Sequence, residues 1–180
     1  TGTERGFPMT RSPVTPSPVF RHATHDDLPR LNEIYNHYIL HTPITFDVEP
    51  KTLSQRAEWL AQFSTTGRHQ CFVATENNVL QGWACSGPYR PKAAYQTSVE
   101  FSVYLAPEAQ GRGLGRTLYG TLLSALANED VHRALAGVTQ PNDASMALHR
   151  WVGFETVGLY TEVGRKFDRY WDVVWMELKL

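Results

Sequence analysis

The chain has 180 residues, a net charge of -1 with histidine neutral, 42% hydrophobic and 19% charged residues. That is enough for one domain with a substantial core, and the charge balance gives no general affinity for nucleic acid or an anionic membrane surface. No apolar run reaches the length of a bilayer span, no Arg-led apolar signal peptide opens the sequence, and two cysteines make no disulfide framework.

Residues 1–18 hold four of the eleven prolines and no periodic apolar pattern, so they read as a disordered tail ahead of a single domain over 19–180. The residues before Met9 read as an added remnant. Val19 to Ala23 is a short strand candidate. Leu28, Leu31, Ile34, Tyr35, Tyr38 and Ile39 then recur at helical spacing after a capping Thr24 or Asp26. Thr42 to Pro50 is a loop, and Thr52 to Phe63 is a second helix with Leu53, Ala57, Leu60 and Ala61 on one side. Two strands, Gln70 to Thr75 and Val79 to Ser86, flank a tight polar turn and place Cys71 and Cys85 on neighbours, read as free thiols in a reducing cytoplasm. After the loop GPYRPKAAY, Gln96 to Leu105 alternates, with Val99, Phe101, Val103 and Leu105 opposite Ser98, Glu100, Ser102 and Tyr104. Leu114, Leu118, Leu122 and Leu126 mark a helix over 113–128. Ala134 to Val138 is a strand, and Asn142 opens a helix with Ala144, Ala147, Leu148, Trp151 and Val152 as its buried stripe. Phe154 to Val163 and Tyr170 to Leu180 are the last two strands. The order predicts an α/β domain with a mixed, mostly antiparallel twisted sheet flanked by helices, not a doubly wound parallel sheet.

Three glycines, Gly111, Gly113 and Gly115, sit at the mouth of the third helix, between Arg112 and Arg116. A helix start offers unpaired N–H groups and a partial positive charge, and glycine lets an anion approach the backbone. The string is no Walker A loop, and Arg116 stands where a dinucleotide fingerprint needs its last glycine. Gln110 to Gly115 instead matches Q/R-x-x-G-x-G/A in full.

In this loop the chain resembles the GNAT N-acetyltransferase superfamily. EIYNHYI, GPYRPKAAY, TSVEFSVYLAPEAQGRGLG, PNDASMALHRWVGFETVG and VGRKFDRYWDVVWMEL are similar to its phosphinothricin and methionine sulfone/sulfoximine branch over nearly all of 19–180. The resemblance implies an acyl-CoA N-acyltransferase fold, acetyl-CoA as co-substrate, a small amine acceptor, a cytoplasmic location and a homodimer. It implies that Val103, Tyr104 and Leu105 offer backbone groups to the pantetheine arm, with an oxyanion donor near Leu105. Gly111, Arg112, Gly113, Leu114, Gly115 and Arg116 would hold the pyrophosphate, and Asn142 would bond the pantetheine arm as well as cap its helix. Glu100 falls at the general base; a solvated glutamate, or one that holds an ammonium by charge alone, is the competing reading. Arg90 would grip the acceptor's carboxylate or phosphinate, with Lys92 a solvated charge. Phe46 and Tyr95 are candidate pocket walls, and Lys166 and Phe167 match a segment near the partner subunit. His149 stands where many relatives carry a tyrosine proposed to protonate the leaving thiolate, which leaves the general acid open between that role and an ordinary hydrogen bond. The histidines have no metal-ligand spacing, so no metal is expected. Another amine, such as a polyamine, an aminoglycoside or a protein N-terminus, is the alternative acceptor, and an acyl-CoA-binding module without turnover the alternative class.

Overall fold

The computed structural model describes residues 17–180; the expected tail falls almost wholly outside them. The strands are β1 (Val19–His22), β2 (Cys71–Glu76), β3 (Val79–Pro88), β4 (Ser98–Leu105), β5 (Arg133–Thr139), β6 (Glu155–Lys166) and β7 (Arg169–Lys179). The helices are α1 (Leu28–His41), α2 (Leu53–Leu60), α3 (Leu114–Leu126) and α4 (Asp143–Val152). The strands form one sheet in the order β1-β2-β3-β4-β5-β7-β6, in which β4–β5 is the only parallel pair among the described residues. The mixed sheet expected from the strand order is therefore present.

Local chemistry accounts for the boundaries. Thr24 and Asp27 close a capping box ahead of α1, so Pro29 sits in the first turn, where no N–H is missed. Asn77 and Asn78 both take positive φ in the β2–β3 turn, the conformation that suits asparagine in a tight hairpin. Cys71 and Cys85 face each other across that hairpin, buried and unbridged. Gly153, at φ +109°, ends α4 in a left-handed cap.

The alternation of β4 divides the core. Val99 and Phe101 pack with Leu118, Tyr119 and Leu122 of α3 on one face. On the other, Tyr104 joins Trp83, Leu31 and Ile34 under α1 and α2. Two helix faces depart from expectation. In α2, Leu53 is 52% exposed and Arg56 is buried with Leu60, because the aromatic rings of Tyr35 and Trp59 accept a guanidinium where the apolar stripe ended. In α4, Met146 and His149 are buried while Ala144, Ala147 and Trp151 are exposed, and Trp151 instead lies under the Arg116 guanidinium at 4.7 Å. Among the described residues no helix is long and apolar enough to cross a membrane, and no His, Cys, Asp and Glu group has a metal-binding arrangement.

Candidate active site

β4 and β5 pair only from Ser98–Arg133 to Glu100–Leu135. Both strands continue, β4 to Leu105 and β5 to Thr139, but they diverge. Ala106 N–H donates to Gln81 O on the β3 side. By strand alternation, the N–H groups of Val103 and Leu105 therefore point toward the open side. The wedge between the strands is lined by Phe101 to Tyr104, Gly137 to Thr139, and residues at the start of α4. The Val103 and Leu105 side chains are half-buried against the α3-side core, so backbone, not side chain, forms the free edge.

The glycine loop follows directly. Gly111 and Gly113 lie at φ +73° and +80°, and a Cβ on either would meet nothing within 4 Å. Their glycine identity answers to a left-handed backbone with open space above it. At Gly115 the reason is packing, since a Cβ there would lie 3.1 Å from Leu148 Cδ2 of α4. No backbone N–H of residues 111–116 finds a backbone acceptor among the described residues. The loop and first turn of α3, including Leu114, thus present a run of free donors at a positive helix end. Arg112 is tied to Glu76 at 2.6 Å, and Arg116 stacks on Trp151.

A connection unforeseen from sequence joins loop and strand. Tyr38 O–H donates to Leu105 O at 2.6 Å, and Gln110 Nε2 donates to Tyr38 Oη at 3.0 Å. The first residue of the loop and the last carbonyl of β4 are held by one buried phenol from α1. The signal was the spacing of Tyr38 in the inward stripe of α1, which packing alone explained equally well.

Glu100 lies opposite Gly87 of β3, next to the point where β4 and β5 part. Burial pushes its carboxyl above the ordinary carboxylate range, and the positive charge of Arg90 partly offsets this. Its carboxylate accepts no hydrogen bond among the described residues, so its lone pairs are free. Arg90 is exposed between Tyr89 and Tyr95, 5.0 and 5.7 Å from their rings. Lys92 is exposed on the same loop.

Asn142 accepts from Ser145 N–H at 3.1 Å as the α4 cap and also borders the wedge. His149 is 3% exposed. Its Nδ1 lies 2.7 Å from Ser145 O, an acceptor only, so Nδ1 carries the proton and Nε2 accepts from Tyr119 O–H at 3.0 Å. Burial holds its pKa below the usual histidine value, with the Ser145 bond opposing. The imidazole is neutral and both nitrogens are engaged, so the ordinary hydrogen-bonding reading describes it.

The loop over 42–50 is pinned to β6. Lys166 is 5% exposed and donates from Nζ to Thr45 O at 2.8 Å. The Phe46 ring rests on β6 so closely that a Cβ on Gly164 would overlap it. Phe167 is 51% exposed. Beside this loop, a cleft of about 430 Å³ opens between α2 and the sheet, walled by Tyr35, Asp47, Arg56, Ser102 and Tyr104.

Residues 31–154 match the model of the acetyltransferase (GNAT) family. A phosphinothricin N-acetyltransferase of Streptomyces coelicolor is 52% identical over 170 residues, 93% of this chain and 99% of that protein. An L-methionine sulfoximine/L-methionine sulfone acetyltransferase of Salmonella typhimurium is 34% identical, over 90% of this chain and 94% of that protein. A GNAT phosphinothricin acetyltransferase from Sinorhizobium meliloti, solved in complex with acetyl-CoA, superposes with a TM-score of 0.85 at 30% identity, covering 91% of this chain and 88% of that one. With the family model spanning most of the chain and these relatives covered nearly end to end, the chain belongs to the GNAT acetyltransferase family.

Proposed function

We propose that the protein transfers acetyl from acetyl-CoA to the α-amine of a small amino-acid analogue of the phosphinothricin or methionine sulfone/sulfoximine type. The observation that carries this reading is the free β4 edge, which begins beside the half-buried carboxylate of Glu100, without a hydrogen-bond partner among the described residues, and ends at a row of unpaired loop N–H groups. Backbone of Val103, Tyr104 and Leu105 would pair with the pantetheine arm as an added strand does. The N–H groups of Gly111, Arg112, Gly113, Leu114, Gly115 and Arg116 would receive the pyrophosphate, and the Asn142 amide would bond the arm. Acetyl-CoA is a co-substrate and not a resident group.

Glu100 takes one proton from the acceptor's ammonium, directly or through water, which frees the lone pair. The amine attacks the thioester carbonyl. An N–H near Leu105 meets the oxyanion as it forms, a donor already in place before charge develops. The tetrahedral intermediate then breaks its C–S bond. The second proton shed by nitrogen on becoming an amide balances the one taken up by the thiolate. Arg90 grips the acceptor's carboxylate, and its pairing with Lys92 on one loop favours an anionic acceptor over a polycation. A homodimer built on the outer strand and a cytoplasmic location complete the proposal; the two free, buried thiols accord with a reducing compartment.

Thiol release from acetyl-CoA by the purified protein tests this, with phosphinothricin, methionine sulfone, methionine sulfoximine, spermidine, an aminoglycoside and an alanyl peptide as acceptors. Saturable release with the first three is expected. Release with only the polycations or the peptide would overturn the acceptor class, and silence with all of them would favour a binding module.

A further inference from the structure

α2 places an arginine at the position where an amphipathic helix buries an apolar side chain. Arg56 is 4% exposed. Its guanidinium lies over the Tyr35 ring at 3.9 Å and 4.5 Å from the Trp59 ring. Those contacts satisfy the faces of the cation and leave its N–H edge to be answered separately. Among the described residues Arg56 forms no ion pair, and its Nε is buried with no hydrogen-bond partner. The nearby carboxylate is engaged elsewhere: Asp47 is bonded to Lys51 Nζ at 3.0 Å and accepts from Tyr35 O–H at 2.7 Å. Burial accordingly lowers the Arg56 pKa, with Tyr35 and Asp47 only partly opposing. A largely desolvated cation whose Nε has no partner is costly, and the complement that removes the cost is an anion or a strongly polar oxygen pair.

The surroundings say which one. Arg56 walls the cleft of about 430 Å³ beside α2, and Ser102 and Tyr104 wall it too. The same two residues border the β4–β5 wedge, so the two spaces meet at this stretch of β4. Glu100 precedes Ser102 on the same sheet face. Two residues along a strand advance about 6.7 Å, close to the reach from amine nitrogen to tail oxygen of an extended amino acid of glutamate length. An amino acid with its amine at Glu100 and its carboxylate at Arg90 has the cleft walled by Arg56 within reach of its side chain, through the stretch of β4 that the two spaces share.

We propose that Arg56 is the specificity-determining residue of a subsite for the far end of the acceptor's side chain, where its planar N–H edge receives phosphinate, carboxylate or sulfonyl oxygens. The inference rests on the acceptor class proposed above and names what selects within it: an acidic or oxygen-rich tail.

Steady-state kinetics of Arg56→Gln, with melting temperature measured alongside, tests it. KM for phosphinothricin, whose tail is anionic, should rise about 10- to 100-fold, against about two- to tenfold for methionine sulfone, whose tail is neutral. The change should fall on the acceptor KM and not on that of acetyl-CoA. Arg56→Lys keeps the charge without the fork and should raise the phosphinothricin KM by a smaller factor; it decides the matter if the glutamine variant does not fold. KM values for the two acceptors moving together, or a change confined to kcat, would overturn the subsite and leave the acetyltransferase reading standing. If the wild-type protein acetylates neither acceptor, the acceptor class has failed, and a titration with dimethylphosphinate judges the cleft itself. Trp59 and Trp83 line it, so a saturable fluorescence change lost in Arg56→Gln supports the anion site, and no saturable change removes it.

Discussion

Glu100 concentrates the chemistry of the site and its energetic cost in one residue. Its pKa is raised by burial, so the folded state holds this proton more tightly than the unfolded chain. Between the ordinary carboxylate range, near about 4.3, and the raised value, stability therefore falls as pH rises, and above it the full deficit remains. Glu100→Gln should melt higher than the parent at neutral pH while acetylating about 10²- to 10⁴-fold more slowly with acetyl-CoA binding retained. In the parent, kcat should fall with acid through a limb above the usual carboxylate range. Arg90→Ala should move that limb upward, because the guanidinium is what favours the ionised form. Salt should shift the parent the same way, since Arg90 is exposed and screened. Unchanged turnover by Glu100→Gln would sink the proposed base. A carboxylate within an alternating strand is conspicuous, which is what made Glu100 a candidate in the sequence, while the role of base came from the resemblance. Arg56 was not: a single charged residue in an apolar stripe reads as a solvated position until Tyr35 of α1 is packed against it beside Trp59, one turn further along α2.

α4 shows how an element can be predicted correctly and faced wrongly. Its cap at Asn142 is local and was readable, and Gly153 ends it. Its inward stripe depended on α3 and β7, which no local pattern records, and it settled on Met146 and His149. The seven strands were legible because alternation and turn residues are local signals. The divergence of β4 from β5 is a relation between two strands, so no local pattern carried it; only the family resemblance implied that the strand before the loop splays from its neighbour. What His149 contributes belongs to this scale, since it bolts α4 to α3 through Tyr119, a phenol with no exposure. His149→Ala would strand that buried hydroxyl at a cost of about 1–3 kcal/mol, and His149→Asn, which can still accept, should recover part of it. The histidine's folded pKa is depressed, so the stability it supports is complete above its unfolded value, near about 6.5, and declines as pH falls below it. Chemical denaturation at neutral and at mildly acidic pH checks both statements. A parent whose stability is flat over that interval would refute the linkage.

At the scale of the whole molecule, the sheet ends in β6, whose outer edge has no partner strand among the described residues. That strand carries Val157, Leu159, Tyr160 and Val163, each between 47% and 56% exposed. A long edge strand with an apolar face invites pairing and is seldom left bare in a monomer. The same strand braces the acceptor side of the site, since Lys166 holds Thr45 O and Gly164 supports Phe46. Assembly through β6 would thus stiffen the loop over 42–50, and with it the Asp47 wall of the cleft. Replacing Leu159 and Val163 together by lysine should convert a species of twice the chain mass into one of single mass by light scattering. These side chains are exposed in the single chain, so the substitution leaves its folding intact. The acceptor KM should rise in the same variant, while KM for acetyl-CoA, set by β4 and the loop before α3, changes little. A parent protein of single chain mass at assay concentration would remove the dimer from the proposal. A dimer that persists in the double variant would move the interface away from β6.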